Sequence, residues 1–133
     1  MTEEAGDLQG GGTWGPREAA AEWRRGAAAR LQAFGPATEM MLDLVQVAEG
    51  SQVLDVGAGA GDSTLVAAQR VGSSGHVLAT DISASMLEVA AELVRQAGLN
   101  NVDTQVVDAQ RLDLEPDSFD AAVSRNCLML IPD

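Results

Sequence analysis

"VLDVGAGAGD", residues 53–62, is the stretch that decides the fold. A run of apolar residues, interrupted by one acid at Asp55, leads into three glycines on alternate positions, Gly57, Gly59 and Gly61. Short apolar runs bounded by glycine read as buried strands, so the pattern predicts a strand over 52–56 and a tight turn after it. "DSTLVAAQRVG" (62–72) then predicts a helix, with Asp62 or Ser63 as its N-cap.

Downstream, the alternation repeats. "HVLATDI" (76–82) reads as a second strand and "SASMLEVAAELVRQAG" (83–98) as a helix. Ser85 and Glu88 have capping-box spacing, and Gly98 suits the helix stop. "VDTQVVD" (102–108) reads as a third strand, "EPDS" (115–118) as a turn and "FDAAVSR" (119–125) as a fourth strand, before the closing "NCLMLIPD". Strands alternating with helices predict an α/β fold of parallel βαβ units.

Upstream lie two helical patterns. Trp23, Ala27, Leu31 and Phe34 fall on one face of a helix expected from Arg17 to Phe34, and Gly35-Pro36 is expected to end it. A second helix is expected from Pro36 to about Ala48, with Met40, Met41, Leu44, Val45 and Ala48 as its apolar stripe. Glu39 and Asp43 are four apart on that helix and read as a solvated face. Residues 1–16 are polar and Gly-rich and read as a loose arm. The organisation expected is an arm over 1–16, covering helices over 17–49 and an α/β core over 50–133.

The bulk numbers narrow the function classes. A chain of 133 residues fits one compact domain, which buries roughly two-thirds of its unfolded surface. The formal net charge of −12 argues against a broad nucleic-acid or anionic-membrane surface. Arg24-Arg25 reads as an exposed helix face. One cysteine allows no internal disulfide and no cysteine-cluster metal site, and Cys127 reads as a small apolar residue. No apolar run approaches the roughly 18 residues of a membrane span. The acidic N-terminus does not read as a secretory signal, so a cytoplasmic protein is expected. His76, the one histidine, starts the second strand at the end away from the glycine turn.

The turn itself discriminates among ligands. In open α/β sheets, ligands sit outside the carboxyl ends of the strands, near the point where strand order reverses. A dinucleotide turn wants G-x-G-x-x-G, whereas this one is spaced G-x-G-x-G. Asp62 also puts a negative charge beside the helix N-terminus, where a pyrophosphate would sit, and no Lys-Ser/Thr follows as in a phosphate-binding P-loop. The nicotinamide-linked oxidoreductase reading is therefore disfavoured. With Asp55 just before the turn, a cationic or zwitterionic small molecule is favoured. Asp81 ends the second strand, where a carboxylate can accept both hydroxyls of a ribose. Asp108-Ala109 ends the third, where an acid can accept from an exocyclic amine. Three acids at three strand tips around one glycine turn make a coherent nucleoside site. Met86 reads as core.

"VLDVGAGAGD", "ATDIS" and "VVDAQRLDLEPDSFDAAVS", in this order and spacing, resemble the class I S-adenosylmethionine-dependent methyltransferases, nearest to the ubiquinone/menaquinone-biosynthesis type, from about Pro36 to Asp133. The resemblance implies a Rossmann-like parallel sheet of about four strands flanked by helices. That sheet is truncated relative to the family's seven strands in the order 3-2-1-4-5-7-6. It implies that Gly57, Gly59 and Gly61 line the methionine part of S-adenosyl-L-methionine, and that Asp55 orients the loop and its water around the ammonium group. It implies that Asp81 holds the ribose hydroxyls with Ile82 against the adenine face, and that Asp108 binds the adenine amine beside Ala109. Ser124 and Arg125 would lie near the methionine end, and Trp14 or Trp23 over the pocket. No catalytic base and no metal site is assigned.

The family's acceptor region lies beyond the fourth strand. Two readings follow from this: methyl transfer to a small-molecule acceptor, or a non-catalytic module that binds S-adenosylmethionine or S-adenosylhomocysteine. The fourth strand would be an edge with "CLMLI" just beyond it, which predicts a homodimer or an exchanged segment that covers this edge.

Overall fold

The computed structural model describes residues 17–132. The arm over 1–16, Trp14 included, lies outside the described residues. Helices α1 (Arg17–Arg25) and α2 (Ala27–Leu44) precede an alternating series: β1 (Gln52–Val56), α3 (Asp62–Val71), β2 (His76–Asp81), α4 (Ala84–Gln96), β3 (Val102–Val106) and β4 (Ala121–Val123). Single 3-10 turns cover Ala109–Arg111 and Leu128–Leu130.

All strand pairs are parallel, in the order β3-β2-β1-β4. The chain steps outward from β1 to β3 and then returns to the other side of β1. Strand order therefore reverses between β1 and β4, which locates the crevice where a ligand fits. The register aligns Val53 with Val77 and Ala121, and Asp55 with Ala79 and Val123. These residues share one face, and that face is the core. Val53, Val77 and Val123 cluster with Leu42, Val47, Val66, Ala67, Ala68 and Val71. A fully buried aliphatic side chain of this kind contributes about 1.5–3 kcal/mol. The intervening row on the other face carries Leu54, Leu78, Asp103 and Ala122, of which Asp103 and Ala122 are exposed.

The N-terminal helices depart from the sequence reading. They divide at Gly26, and α2 continues through Pro36. Two local causes account for this. The Arg30 guanidinium donates to the Trp23 carbonyl, which occupies a helix-ladder acceptor, and it lies where a Cβ on residue 26 would be, 2.6 Å away. At Pro36, the preceding residue is glycine, so no Cβ meets the proline ring and the helix passes through. The expected apolar stripe is also displaced. Met40, Leu44 and Val45 are exposed, while Thr38 and Leu42, four apart, are the buried residues of α2. The helix ends at Leu44 with Gln46 at positive φ, so Val47 enters the core from the following turn.

Two caps fall one or two residues earlier than the sequence reading. Ser83, not Ser85, caps α4, its hydroxyl accepting from the Met86 amide. Gly61 occupies the N-cap of α3, and Asp62 is already helical. Gly61 stands at φ +89°, and a Cβ there would lie 2.7 Å from the Ala90 Cβ and 2.8 Å from the Ala90 Cα. A left-handed backbone and a close approach of α3 to α4 both require glycine at this position. Gly98 ends α4 at φ +76°, as a C-terminal glycine should. Glu39 and Asp43 do not face solvent alone. Both pair with Arg70, which ties α2 to α3.

Candidate functional site

The site is built at the carboxyl end of β1. Asp55 is the last acid before the turn and is fully buried. Its Oδ2 accepts from Thr64 Oγ1 at 2.7 Å and from Ser63 Oγ at 2.9 Å. Its Oδ1 is buried without a hydrogen-bond partner among the described residues. Burial pushes the Asp55 carboxyl up from 3.8 to about 6, against the lowering pull of Thr64, Ser63 and the Arg125 charge.

This shift makes stability depend on pH. Below 3.8 the carboxyl is protonated in both folded and unfolded chains, so burial costs no charge desolvation. Between 3.8 and about 6 the unfolded chain releases the proton and the folded chain keeps it, so the unfolded state binds fewer protons. The Asp55 contribution to stability therefore falls as pH rises through that window, and Asp55→Asn is expected to remove that part of the slope. Thermal unfolding midpoints of both proteins from about pH 4 to about pH 7 check it. Parallel curves would contradict it.

The glycine turn is pinned from β2. Ala58 donates its amide to the Thr80 carbonyl, and Thr80 Oγ1 donates to the Asp55 carbonyl. Asp81 Oδ2 accepts the Gly59 amide at 2.9 Å, and its Oδ1 accepts the Ser83 amide at 2.9 Å. One carboxylate thus fixes both the glycine turn and the entry to α4. Ile82, next to it, is 41% exposed. Asp108 follows β3 and caps a 3-10 turn by accepting the Gln110 amide, and Ala109 is that turn's first residue. Both are half-buried. Since β3, β2 and β1 are neighbours in order, the three acids stand at adjacent strand tips.

The β4 tip closes the other side. Ser124 Oγ donates to the Val56 carbonyl at 2.9 Å. Cys127 lies over Gly57, its Sγ in the space that a Cβ on that residue would need. Gly57, at φ +68°, is thus another position where only glycine fits. Arg125 turns toward the helices. It donates to Thr38 Oγ1 at 3.0 Å, sits 3.7 Å from Asp62 and stacks over the Phe34 ring at 5.3 Å.

Several contacts around the candidate site escape sequence reasoning. Asp62 is paired with Arg30 at 2.7 Å, which in turn lies 4.5 Å over the Trp23 ring. Ser63 and Thr64 hold Asp55. Their only sequence signal is position: the first turn of a helix that doubles back beside the strand it follows. Trp23 and Ala20 pack on Ala60, Met86 and Val89, so α1 lies against the glycine turn and the start of α4. His76 pairs with Asp103 at 2.8 Å, at the amino end of the sheet. A cleft of about 430 Å³ lined by Gln46, Glu49, Ser51 and Asp120 also lies at that end. Because ligands of such sheets bind at the carboxyl ends of strands, it is not the candidate site.

Comparison with known proteins gives consistent matches. A family model described as a methyltransferase domain matches residues 48–133. Aklanonic acid methyltransferase DauC of Streptomyces sp. (strain C5) is 32% identical over 103 residues, covering 77% of this chain and 47% of that protein. The demethylmenaquinone methyltransferase of Listeria monocytogenes serovar 1/2a is 36% identical over 92 residues, covering 69% of this chain and 39% of that protein. The chain thus spans less than half the length of these curated relatives. The crystal structure of a SAM-dependent methyltransferase from Aquifex aeolicus superposes with a TM-score of 0.67 at 28% identity, covering 82% of this chain and 56% of that one.

Proposed function

The chain belongs to the methyltransferase-domain family, and on that premise we propose that it binds S-adenosyl-L-methionine and directs the methyl group to a small-molecule acceptor. The observation that carries this reading is Asp55 Oδ1, a buried acceptor beside the glycine turn with no donor of its own among the described residues. Such an oxygen costs about 1–3 kcal/mol until a donor satisfies it. An ammonium group, or the water it orders, is that donor.

The remaining residues take roles in the same frame. Gly57, Gly59 and Gly61 line the methionine part. Asp81 receives the ribose hydroxyls, and each of its oxygens keeps acceptor capacity beyond the one backbone amide it already holds. Exposed Ile82 supports the adenine face, and Asp108 with Ala109 receives the adenine amine. Ser124 and Arg125 flank the methionine end. The helices over 17–49 cover the cofactor, a reading supported by the packing of Ala20 and Trp23 on Ala60 and Met86.

The bound cofactor supplies a sulfonium methyl that is already electrophilic. What the chain contributes is alignment and exclusion of water, which are effects of proximity and orientation. A transfer assay with methyl-labelled S-adenosylmethionine over a panel of small acceptors tests the reaction. Label transfer to an acceptor supports it. Binding with no transfer to any acceptor would favour a binding module instead.

The reading includes a homodimer. Leu128, Met129 and Leu130 are 67%, 73% and 58% exposed just beyond β4, the edge strand next to β1. An apolar patch at a sheet edge invites a second chain. Light scattering at about micromolar concentration is expected to give twice the chain mass. Leu128→Glu with Leu130→Glu is expected to halve it, and a monomeric parent would contradict the dimer. A cytoplasmic location belongs to the same reading. No helix among the described residues is long and apolar enough to cross a membrane.

A further inference from the structure

Asp55 is held asymmetrically. Oδ2 takes two hydroxyl donors from adjacent residues of the first turn of α3, Ser63 and Thr64, while Oδ1 takes none among the described residues. Thr64 is fully buried and Ser63 is 5% exposed, so both hydroxyls are shielded from bulk water. The Asp55 backbone is fixed as well, because its carbonyl accepts Thr80 Oγ1. A carboxylate with one oxygen doubly anchored cannot exchange its two oxygens by rotating about its last bond without breaking both bonds.

From this geometry we infer that Thr64, with Ser63, is a positioning residue: the two hydroxyls clamp one Asp55 oxygen so that the other is left for the donor that arrives with the cofactor's amino-acid end. The inference rests on the proposed cofactor reading for the identity of that donor. The clamp itself belongs to the ligand-free chain. It has a second consequence. Hydroxyls that donate to the ionised carboxylate favour that form, and they oppose the burial that disfavours it. The other charged or titratable groups acting on Asp55 are Arg125 from beyond the β4 tip, which favours the ionised form, and Asp81 from the β2 tip, which disfavours it. The Cys127 thiol, itself pushed up by burial, is uncharged near neutral pH. The Arg30–Asp62 pair stands next in the chain to Ser63.

Thr64→Val keeps the shape and removes the hydroxyl. Two measurements test the proposal. First, the Asp55 carboxyl is titrated by carbon NMR in the cofactor-free protein, with Asp55→Asn to assign the signal. The midpoint is expected to move upward in Thr64→Val and to return toward the parent in Thr64→Ser. An unchanged midpoint would overturn the clamp, whether or not any cofactor binds. Second, the affinity for S-adenosylmethionine is measured against pH, beside methylthioadenosine, which lacks the amino-acid end. Thr64→Val is expected to weaken S-adenosylmethionine several-fold near pH 7, to recover at alkaline pH, and to leave methylthioadenosine unchanged. Equal weakening of both ligands at every pH would show a merely structural role and overturn the inference. If the parent binds neither ligand, the cofactor reading itself fails, and the NMR result alone then decides the clamp.

Discussion

Gly61→Ala is expected to lower the stability of the folded chain by roughly 2–5 kcal/mol. The residue stands at φ +89°, and its absent Cβ would lie 2.7 Å from one atom of Ala90 and 2.8 Å from another. The second of those atoms is backbone, so no rotamer change relieves the clash. α3 must move away from α4, or the turn must change its path. Left-handed strain in a non-glycine residue costs about 1–3 kcal/mol, and overpacking costs a similar amount. Against a total stability of about 5–15 kcal/mol for a domain of this kind, the loss is large. Gly98→Ala is the control. It shares the positive φ of +76°, but nothing lies within 4 Å of its Cβ position. It should therefore show the backbone cost alone. Urea unfolding of both variants checks the difference, and equal losses would refute the close-approach argument.

Asp81→Ala is expected to weaken S-adenosylmethionine binding by about 1.5–3 kcal/mol, which is roughly ten- to a hundredfold or a little more in affinity. The charge-assisted bonds proposed between Asp81 and the ribose hydroxyls would be the interactions lost. The structure adds a second effect. Asp81 also accepts the Gly59 and Ser83 amides, so the substitution leaves two backbone donors without this acceptor. A further stability loss of about 1–2 kcal/mol is expected. The two effects separate experimentally: calorimetric titration reads the first and denaturant unfolding reads the second. An unchanged affinity in a folded variant would remove Asp81 from the cofactor site.

The core of the fold is legible because its strands are short, apolar and bounded by glycine or by an acid. "QVLDV" and "HVLATD" become β1 and β2 with the expected bounds to within a residue, and α3 begins and ends where its pattern does. The N-terminal helices are misread at Gly26 and Pro36, because proline and glycine act through their neighbours. A glycine before Pro36 relieves the conflict between the proline ring and a preceding Cβ, and the break at Gly26 coincides with the Arg30 side chain returning to Trp23. The positive φ of Gln46 turns Val47 inward, which periodicity along a single helix cannot show. Within the site, the order of Asp55, Asp81 and Asp108 at neighbouring strand tips follows from strand order and is readable in sequence. Side-chain pairings across elements, such as Arg30 with Asp62 or Thr64 with Asp55, have no periodic trace, and they emerge only when the helices are placed in space.

The central claim is that the G-x-G-x-G turn and the three strand-tip acids form a site for S-adenosylmethionine rather than for a dinucleotide. Isothermal titration calorimetry with S-adenosylmethionine, S-adenosylhomocysteine and NAD tests it most directly. Saturable binding of the first two with no heat from NAD is the result predicted. Binding of NAD alone would contradict the account.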